Sequence, residues 1–270
     1  MRFVKAHAYG NDFIYVETAD VAGVSLAPLA RQLCDRHTGI GADGLIVYNR
    51  TSGGGTMSLF NADGGRAEVS GNGARGLGAL LLRNEPRTEA EITIETDAGP
   101  KRLTRTGRLN TRQTFRVAMG LPRDVRQVRV TVGEEALDIV VMDFGNPQCV
   151  VLGALPTDER FRRLGPALQQ HHLFRQGTNV EFAEVEPEGR IRIMIWERGV
   201  GSTQSSGTGS CAALVAAASF GQAARDAEVV APGGPQRVEW LEDSVYLTGW
   251  AEVLCEGEWL RALPSQNSPG

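Results

Sequence analysis

Apolar and polar residues alternate along most of this chain in short runs closed by Gly, Pro, Asn or Asp, which is the pattern of strands with one buried face. In the first half the runs are RFVKAHA, DFIYVET, GLIVYN, TMSLFNA, EITIETD and TFRVAMG. In the second they are ALDIVVMDFG, CVVLG, VEFAEVE, RIRIMIW, AEVVAP and the pair QRVEWL and SVYLTGWAEVL. Four segments break the alternation. SLAPLARQLCDRH has its apolar residues at helical spacing, with Ser25 placed as N-cap, and TDERFRRLGPALQQHH, opened by Thr157-Asp158, is its counterpart. ARGLGALLLRN and SCAALVAAASFGQ are apolar almost all round, so each is expected to be a buried central helix.

Both central helices follow a Ser-Gly-X-Gly turn, at Ser70-Gly71-Asn72-Gly73 and at Ser206-Gly207-Thr208-Gly209, with the two serines 136 residues apart. Two further pairs keep nearly the same spacing: Gly10-Asn11 with Gly145-Asn146 at 135, and Asn61 with Glu197 at 136. Three matches in one register predict an internal duplication. The expected fold is α+β, with two pseudo-symmetric halves, each a mostly antiparallel curved sheet or barrel around a central helix. The boundary is expected near residues 120 to 135, around GLPRDVRQ, giving an N-terminal half of residues 1–125 and a C-terminal half of residues 126–270. The last strand or strands have the option of returning to the N-terminal half, and a tail from about 263 to 270 is expected to be disordered.

The glycine turns suggest chemistry. A helix N-terminus carries unpaired N–H groups and about half a positive charge, so a turn that lets a ligand reach its backbone suits a carboxylate or phosphate. Two such ends related by a pseudo-twofold are expected to hold one ligand at the domain interface. Gly71 to Gly76 also fits GxGxxG, but the surrounding strands look antiparallel and SGTGSC does not repeat the pattern, so dinucleotide binding is set aside.

Composition narrows the partners. Lys and Arg total 28 against 32 Asp and Glu, with no basic block, which argues against nucleic acid. No apolar run approaches the roughly 18–20 residues of a membrane helix, and the N-terminal MRFVKAHAYGNDF has no signal-peptide core. Four scattered cysteines without CxxC or zinc spacing suit a cytoplasmic protein with reduced thiols, and the histidines form no metal-like cluster.

Read in order, KAHAYGNDFIYVE, LCDRHTGIGADGL, LFNADGGRAEVSGNGARG, GNPQCVV, TNVEF and WERGVGSTQSSGTGSCAA resemble the successive signature blocks of the diaminopimelate epimerase family, from residue 1 to about residue 220. The resemblance implies a fold of two halves, each wrapped round a central helix. It also implies conversion of LL-diaminopimelate to the meso form without pyridoxal phosphate or any other cofactor, for lysine and peptidoglycan precursor synthesis, in a possible homodimer. The presence of only two lysines, Lys5 and Lys101, agrees weakly with the absence of a Schiff base. In the family one cysteine thiolate removes the α-proton and a second thiol returns one to the other face. By resemblance the substrate is held by Asn11, Asn61, Asn146, Asn179, Glu197 and Arg198, together with the turn residues Gly71, Asn72, Gly207 and Thr208.

The pattern departs from the family at its chemical centre. Ser70 and Ser206 stand where the family has its two cysteines, and Gln148 stands where it usually has histidine; Glu197 is retained. A thiol ionises near pH 8.5 and more readily at a helix N-terminus, whereas an unassisted serine is a weak base. The two-thiol mechanism therefore does not operate here as written. The catalytic candidates are Ser70, Ser206, Glu197 and Gln148, and three readings stay open. One is an epimerase with serine in both roles, natural or engineered. Another is a related racemase, isomerase or dehydratase for a different amino or hydroxy acid. The third is a non-catalytic amino-acid-binding protein. Cys149 and Cys211, the nearest thiols in sequence, are expected to be packed core residues.

Overall fold

A computed structural model describes residues 1–67 and 70–265. The chain divides into two compact units, Met1–Val117 with Trp250–Gly270, and Ala118–Gly249.

The first unit contains β1 (Arg2–Ala8), β2 (Asn11–Glu17), α1 (Leu26–Cys34), β3 (Gly44–Thr51), β4 (Gly54–Asn61), β5 (Arg66–Ala67), α2 (Gly71–Leu81), β6 (Ala90–Thr96), β7 (Gly99–Leu109) and β8 (Arg112–Ala118). The last strand of the chain, β17 (Val245–Glu258), completes it. Strands β1 and β2 are antiparallel, β2 and β3 parallel with Phe13 opposite Gly44, and β3 and β4 antiparallel. Then β4 runs parallel to β6, and β6, β7 and β8 follow as an antiparallel series. Because β17 pairs with both β1 and β8, the eight long strands close into a barrel. Helix α2 fills it, buried at every residue from Asn72 to Leu80. Helix α1 packs Leu29, Ala30 and Leu33 outside, against Ile14, Val16, Leu45 and Val47.

The second unit contains β9 (Arg123–Val132), β10 (Glu135–Asp143), β11 (Pro147–Leu152), α3 (Asp158–Gln169), β12 (Asn179–Val185), β13 (Ile191–Glu197), β14 (Gly201–Thr203), α4 (Gly207–Phe220), β15 (Asp226–Ala231), β16 (Gly234–Trp240) and the start of β17. Its pairings follow the same succession. Strands β10 and β11 are antiparallel, β11 and β12 parallel with Gln148 opposite Asn179, and β12 and β13 antiparallel. Next, β13 is parallel to β15, and β15, β16 and β17 are antiparallel. Residues Cys211 to Ala217 of α4 are fully buried among Val140, Val150, Ile191, Val229, Val238 and Leu247. Outside, α3 packs Phe161, Leu164 and Leu168 on Ile139, Cys149, Val180 and Phe182.

Four local features differ from the sequence expectation. The boundary expected at 125/126 falls inside β9, which pairs with β10 from Val132 opposite Glu135 to Arg123 opposite Asp143; the units part at 117/118. Ser25 stands at the N-cap of α1, but its hydroxyl donates to Ser265 O at 3.3 Å instead of capping. Consequently Leu263 to Ser265 are ordered: Ser25 N donates to Pro264 O at 3.0 Å, and Ser265 bridges Val24. The remainder of the expected disordered tail, 266–270, lies outside the described residues. Strands β7 and β9 were not foreseen, because Arg105 sits at an inward position of β7 and β9 is rich in arginine.

Close packing explains one glycine of α2. A methyl on Gly76 would overlap the Tyr15 hydroxyl, which is buried and donates to Gly73 O at 2.9 Å. Gly76→Ala is therefore expected to destabilise the protein despite the better helix propensity of alanine. Overpacking costs about 1–3 kcal/mol against a gain of at most about 1 kcal/mol. Urea denaturation should show a lower midpoint with an unchanged slope.

Candidate active site

Each unit carries a serine-capped helix N-terminus surrounded by amides. In the first unit Ser70 Oγ accepts from Gly73 N at 3.1 Å. The preceding turn leads into β2 through Tyr9 and Gly10, both with positive φ (55° and 86°). Tyr9 is held there by its hydroxyl, which accepts from Trp250 N at 3.1 Å. That turn sets Asn11 beside the helix end: Asn72 Nδ2 donates to Asn11 Oδ1 at 3.2 Å, and Asn11 Nδ2 donates to Asp43 Oδ2 at 2.7 Å. Arg75 Nη2 donates to Asn72 Oδ1 at 3.1 Å from the next turn of α2. Asn61 ends β4 opposite Gly44 and is exposed, and Gly71 is exposed at the helix start.

Behind these amides lies a charged cluster. Lys5 Nζ is 2.9 Å from Asp12, and Arg36 reaches both Asp12 and Asp43 at 2.8 Å. Burial works to raise the Asp12 carboxyl, but hydrogen bonds and charge from Arg36 and Lys5 outweigh it and hold it below the ordinary carboxylate range. A carboxyl depressed in this way contributes stability above its unfolded pKa of about 3.9 and loses it as pH falls through the lower folded value. Asp12→Asn is thus expected to lower the urea midpoint near neutral pH, and the difference from the unsubstituted protein should shrink as pH falls below the ordinary carboxylate range.

In the second unit Ser206 Oγ accepts from Gly209 N at 3.1 Å, and Ser210 Oγ donates back to Ser206 O at 2.9 Å. Gln148 is fully buried, and its Nε2 donates to Asn146 Oδ1 at 2.8 Å and Thr208 Oγ1 at 3.2 Å. Asn179 Oδ1 accepts from Arg198 N at 2.9 Å, and Arg198 Nη1 donates to Gln176 O at 3.2 Å. Glu197 ends β13, half-buried; Arg198 is exposed. Gly207 and Thr208 form the partly open first turn of α4.

The structure thus brings Asn11 and Asn72 together in one unit, and Asn146, Gln148 and Thr208 in the other. Cys149 and Cys211 lie in apolar cores, and burial, with the nearby Glu181 carboxyl, pushes the Cys149 thiol up. Cys149 is therefore not placed as a ready thiolate. Sequence reasoning missed Asp43, which stands beside Gly44 in GIGADGL and fixes Asn11. It also missed Arg75 and Glu181, whose signal was a charged residue inside an otherwise buried helix or strand.

Solved structures with this architecture include a probable proline racemase from Agrobacterium radiobacter K84, at a TM-score of 0.71 and 16% identity over 96% of this chain and 92% of that one. Another is a predicted epimerase from Pseudomonas aeruginosa, also at 0.71 and 16%, over 97% and 99%. The likeness is one of α+β architecture, and identity at this level speaks to fold alone. A sequence profile for diaminopimelate epimerase matches residues 3–125 and 140–254, and the chain belongs to that family of isomerases. Among its curated relatives, the diaminopimelate epimerase of Desulforudis audaxviator is 39% identical over 97% of this chain and all of that protein. That of Synechococcus elongatus is 36% identical over 95% and 97%. No helix among the described residues is long and apolar enough to cross a membrane.

Proposed function

We propose that the protein epimerises LL-diaminopimelate to the meso form without pyridoxal phosphate, with Ser70 and Ser206 in the two proton-transfer roles. The observation that carries this reading is the full-length likeness to diaminopimelate epimerases, 39% identical over 97% of the chain in one case. The amide sets support it: Asn11 with Asn72, and Asn146, Asn179 and Arg198, offer fixed donors and acceptors for an amino acid head group. Arg198 is suited to a carboxylate and Glu197 to an ammonium. The N–H groups at the starts of α2 and α4 would stabilise charge developing on the α-carboxylate side of the carbanion. Asn61, Gly71, Gly207 and Thr208 complete the proposed substrate contacts. The cytoplasmic setting, the homodimer and the origin of the two units by duplication belong to the same reading.

One observation favours a second reading. Both capping side chains are hydroxyls, each already accepting a backbone N–H at 3.1 Å, and hydroxyls are poor bases unaided. That suits an isomerase or dehydratase of another amino or hydroxy acid, or a binding protein. Incubation with LL-diaminopimelate in heavy water separates them. Alpha-deuterium uptake with meso product, followed by NMR, is expected. Saturable line broadening without exchange would leave binding alone.

A further inference from the structure

Under the first turn of α4 lies a buried carboxyl group. Glu181, in the middle of β12, is fully buried, and neither carboxyl oxygen has a hydrogen-bond partner among the described residues. Alternation along β12 puts it on the same face as Ala183, which packs on α4, while Val180 and Phe182 pack toward α3. A methyl built on Gly209 would lie 2.5 Å from Glu181 Oε1 and 3.1 Å from Ser206 Cβ. The carboxyl, the α4 backbone and the Ser206 side chain therefore converge on one point.

Packing does not call for a carboxyl there. In the first unit the residue at this place in the parallel pair is Ile46, two beyond Gly44 as Glu181 is two beyond Asn179. The Ile46 Cδ1 lies 2.7 Å from the methyl position of Gly73, the counterpart of Gly209. An apolar side chain fills one copy of the scaffold and an acid the other. Burial, then the charge of Glu197 at the end of β13, push the Glu181 carboxyl well above the usual range, which favours its neutral acid form.

We propose that Glu181 is the proton partner of Ser206, a positioning residue that acts through the serine hydroxyl and spares it from becoming a free alkoxide; the two side chains are not hydrogen-bonded in this structure, and the contact closes during the step. This rests on the reading of Ser206 as a proton-transfer group. In protonation, the Ser206 O–H bond breaks as its proton forms a C–H bond at the substrate carbanion. The Glu181 acid proton passes to Ser206 Oγ in the same step, leaving a neutral serine and a Glu181 carboxylate beneath the positive end of α4. In deprotonation, Oγ takes the α-proton while its own proton passes to the Glu181 carboxylate. Solvent water resets the acid between turnovers.

The test uses the full-length protein with Glu181→Gln and Glu181→Ile, the second copying Ile46. Each is incubated separately with LL- and meso-diaminopimelate in heavy water, with thermal melts as the folding control. Both variants are expected to fold and to lose about 100-fold or more of the exchange from the stereoisomer whose α-proton Ser206 handles. Exchange from the other stereoisomer should persist, without inversion, and KM should hold. Exchange within about twofold of the unsubstituted rate for both substrates overturns the relay and leaves the functional reading standing. Equal loss from both overturns it in favour of a merely structural role. Absence of exchange in the unsubstituted protein overturns the functional reading and the relay together.

Discussion

Replacing both Ser70 and Ser206 by cysteine is expected to raise the rate of diaminopimelate epimerisation by about 10²–10⁴-fold, the span over which a positioned acid–base group alters a rate. The family resemblance places thiols at these two positions, and the local structure is ready for them. Each side chain caps a helix of ten or more residues, with the first-turn N–H of Gly73 or Gly209 at 3.1 Å. A thiol there ionises below its free value of about 8.5, because the helix end favours the thiolate. A hydroxyl gains from the same field but starts too far from neutral pH to ionise. The amides and Arg198 are untouched, so the gain should fall in kcat with KM nearly constant. Ser70→Cys or Ser206→Cys alone should speed only the proton transfer at its own position and fall short of the double change. The rate of the double variant should climb with pH through the thiolate range. A double variant no faster than the parent would mean that the serines are not at the proton-transfer positions.

Much of this architecture was legible because apolar alternation reports burial directly. The two Ser-Gly-X-Gly turns and the apolar runs behind them located both central helices. What escaped was the polar interior. Arg105 on β7, Glu181 on β12 and Arg75 on α2 occupy inward positions where pattern reasoning expects apolar side chains. Their signal was a charged residue inside a run otherwise read as a buried strand or helix or, for Arg105, a stretch the alternation did not mark as a strand. Ser25 illustrates the converse: the residue type and place suit a cap, but the C-terminal Ser265 carbonyl takes its hydroxyl, and that partner lies 240 residues away. A local rule cannot anticipate so distant a competitor.

Arg105→Met is expected to be the most damaging single change to stability, at about 3–5 kcal/mol, the range for leaving a buried charged network broken. Arg105 is fully buried and its guanidinium gathers the chain that follows α2. It donates to Leu82 O at 2.8 Å, Glu85 O at 2.9 Å and Thr88 O at 3.1 Å, and to Arg87 O. It also donates to Gln113 Oε1 at 2.7 Å, whose Nε2 donates in turn to Ala79 O at 2.7 Å. Arginine therefore supplies, directly and through Gln113, donors that the last turn of α2 and the loop beyond cannot find within a helix. Its positive charge also suits the negative end of that helix. Methionine fills similar space but donates nothing, leaving several carbonyls unsatisfied in the interior. Arg105→Lys should recover only part of the loss, since an ammonium cannot reproduce the planar fork that meets so many acceptors. Gln113→Leu should cost less than Arg105→Met. The double variant should cost less than the two separate losses combined, because both side chains serve one network. Urea denaturation of the four proteins reads this out, and additive losses would show that Arg105 and Gln113 act independently. Because Ser70 caps the start of α2, loosening its far end also loosens the serine cap, so Arg105→Met should slow proton exchange even below its unfolding midpoint.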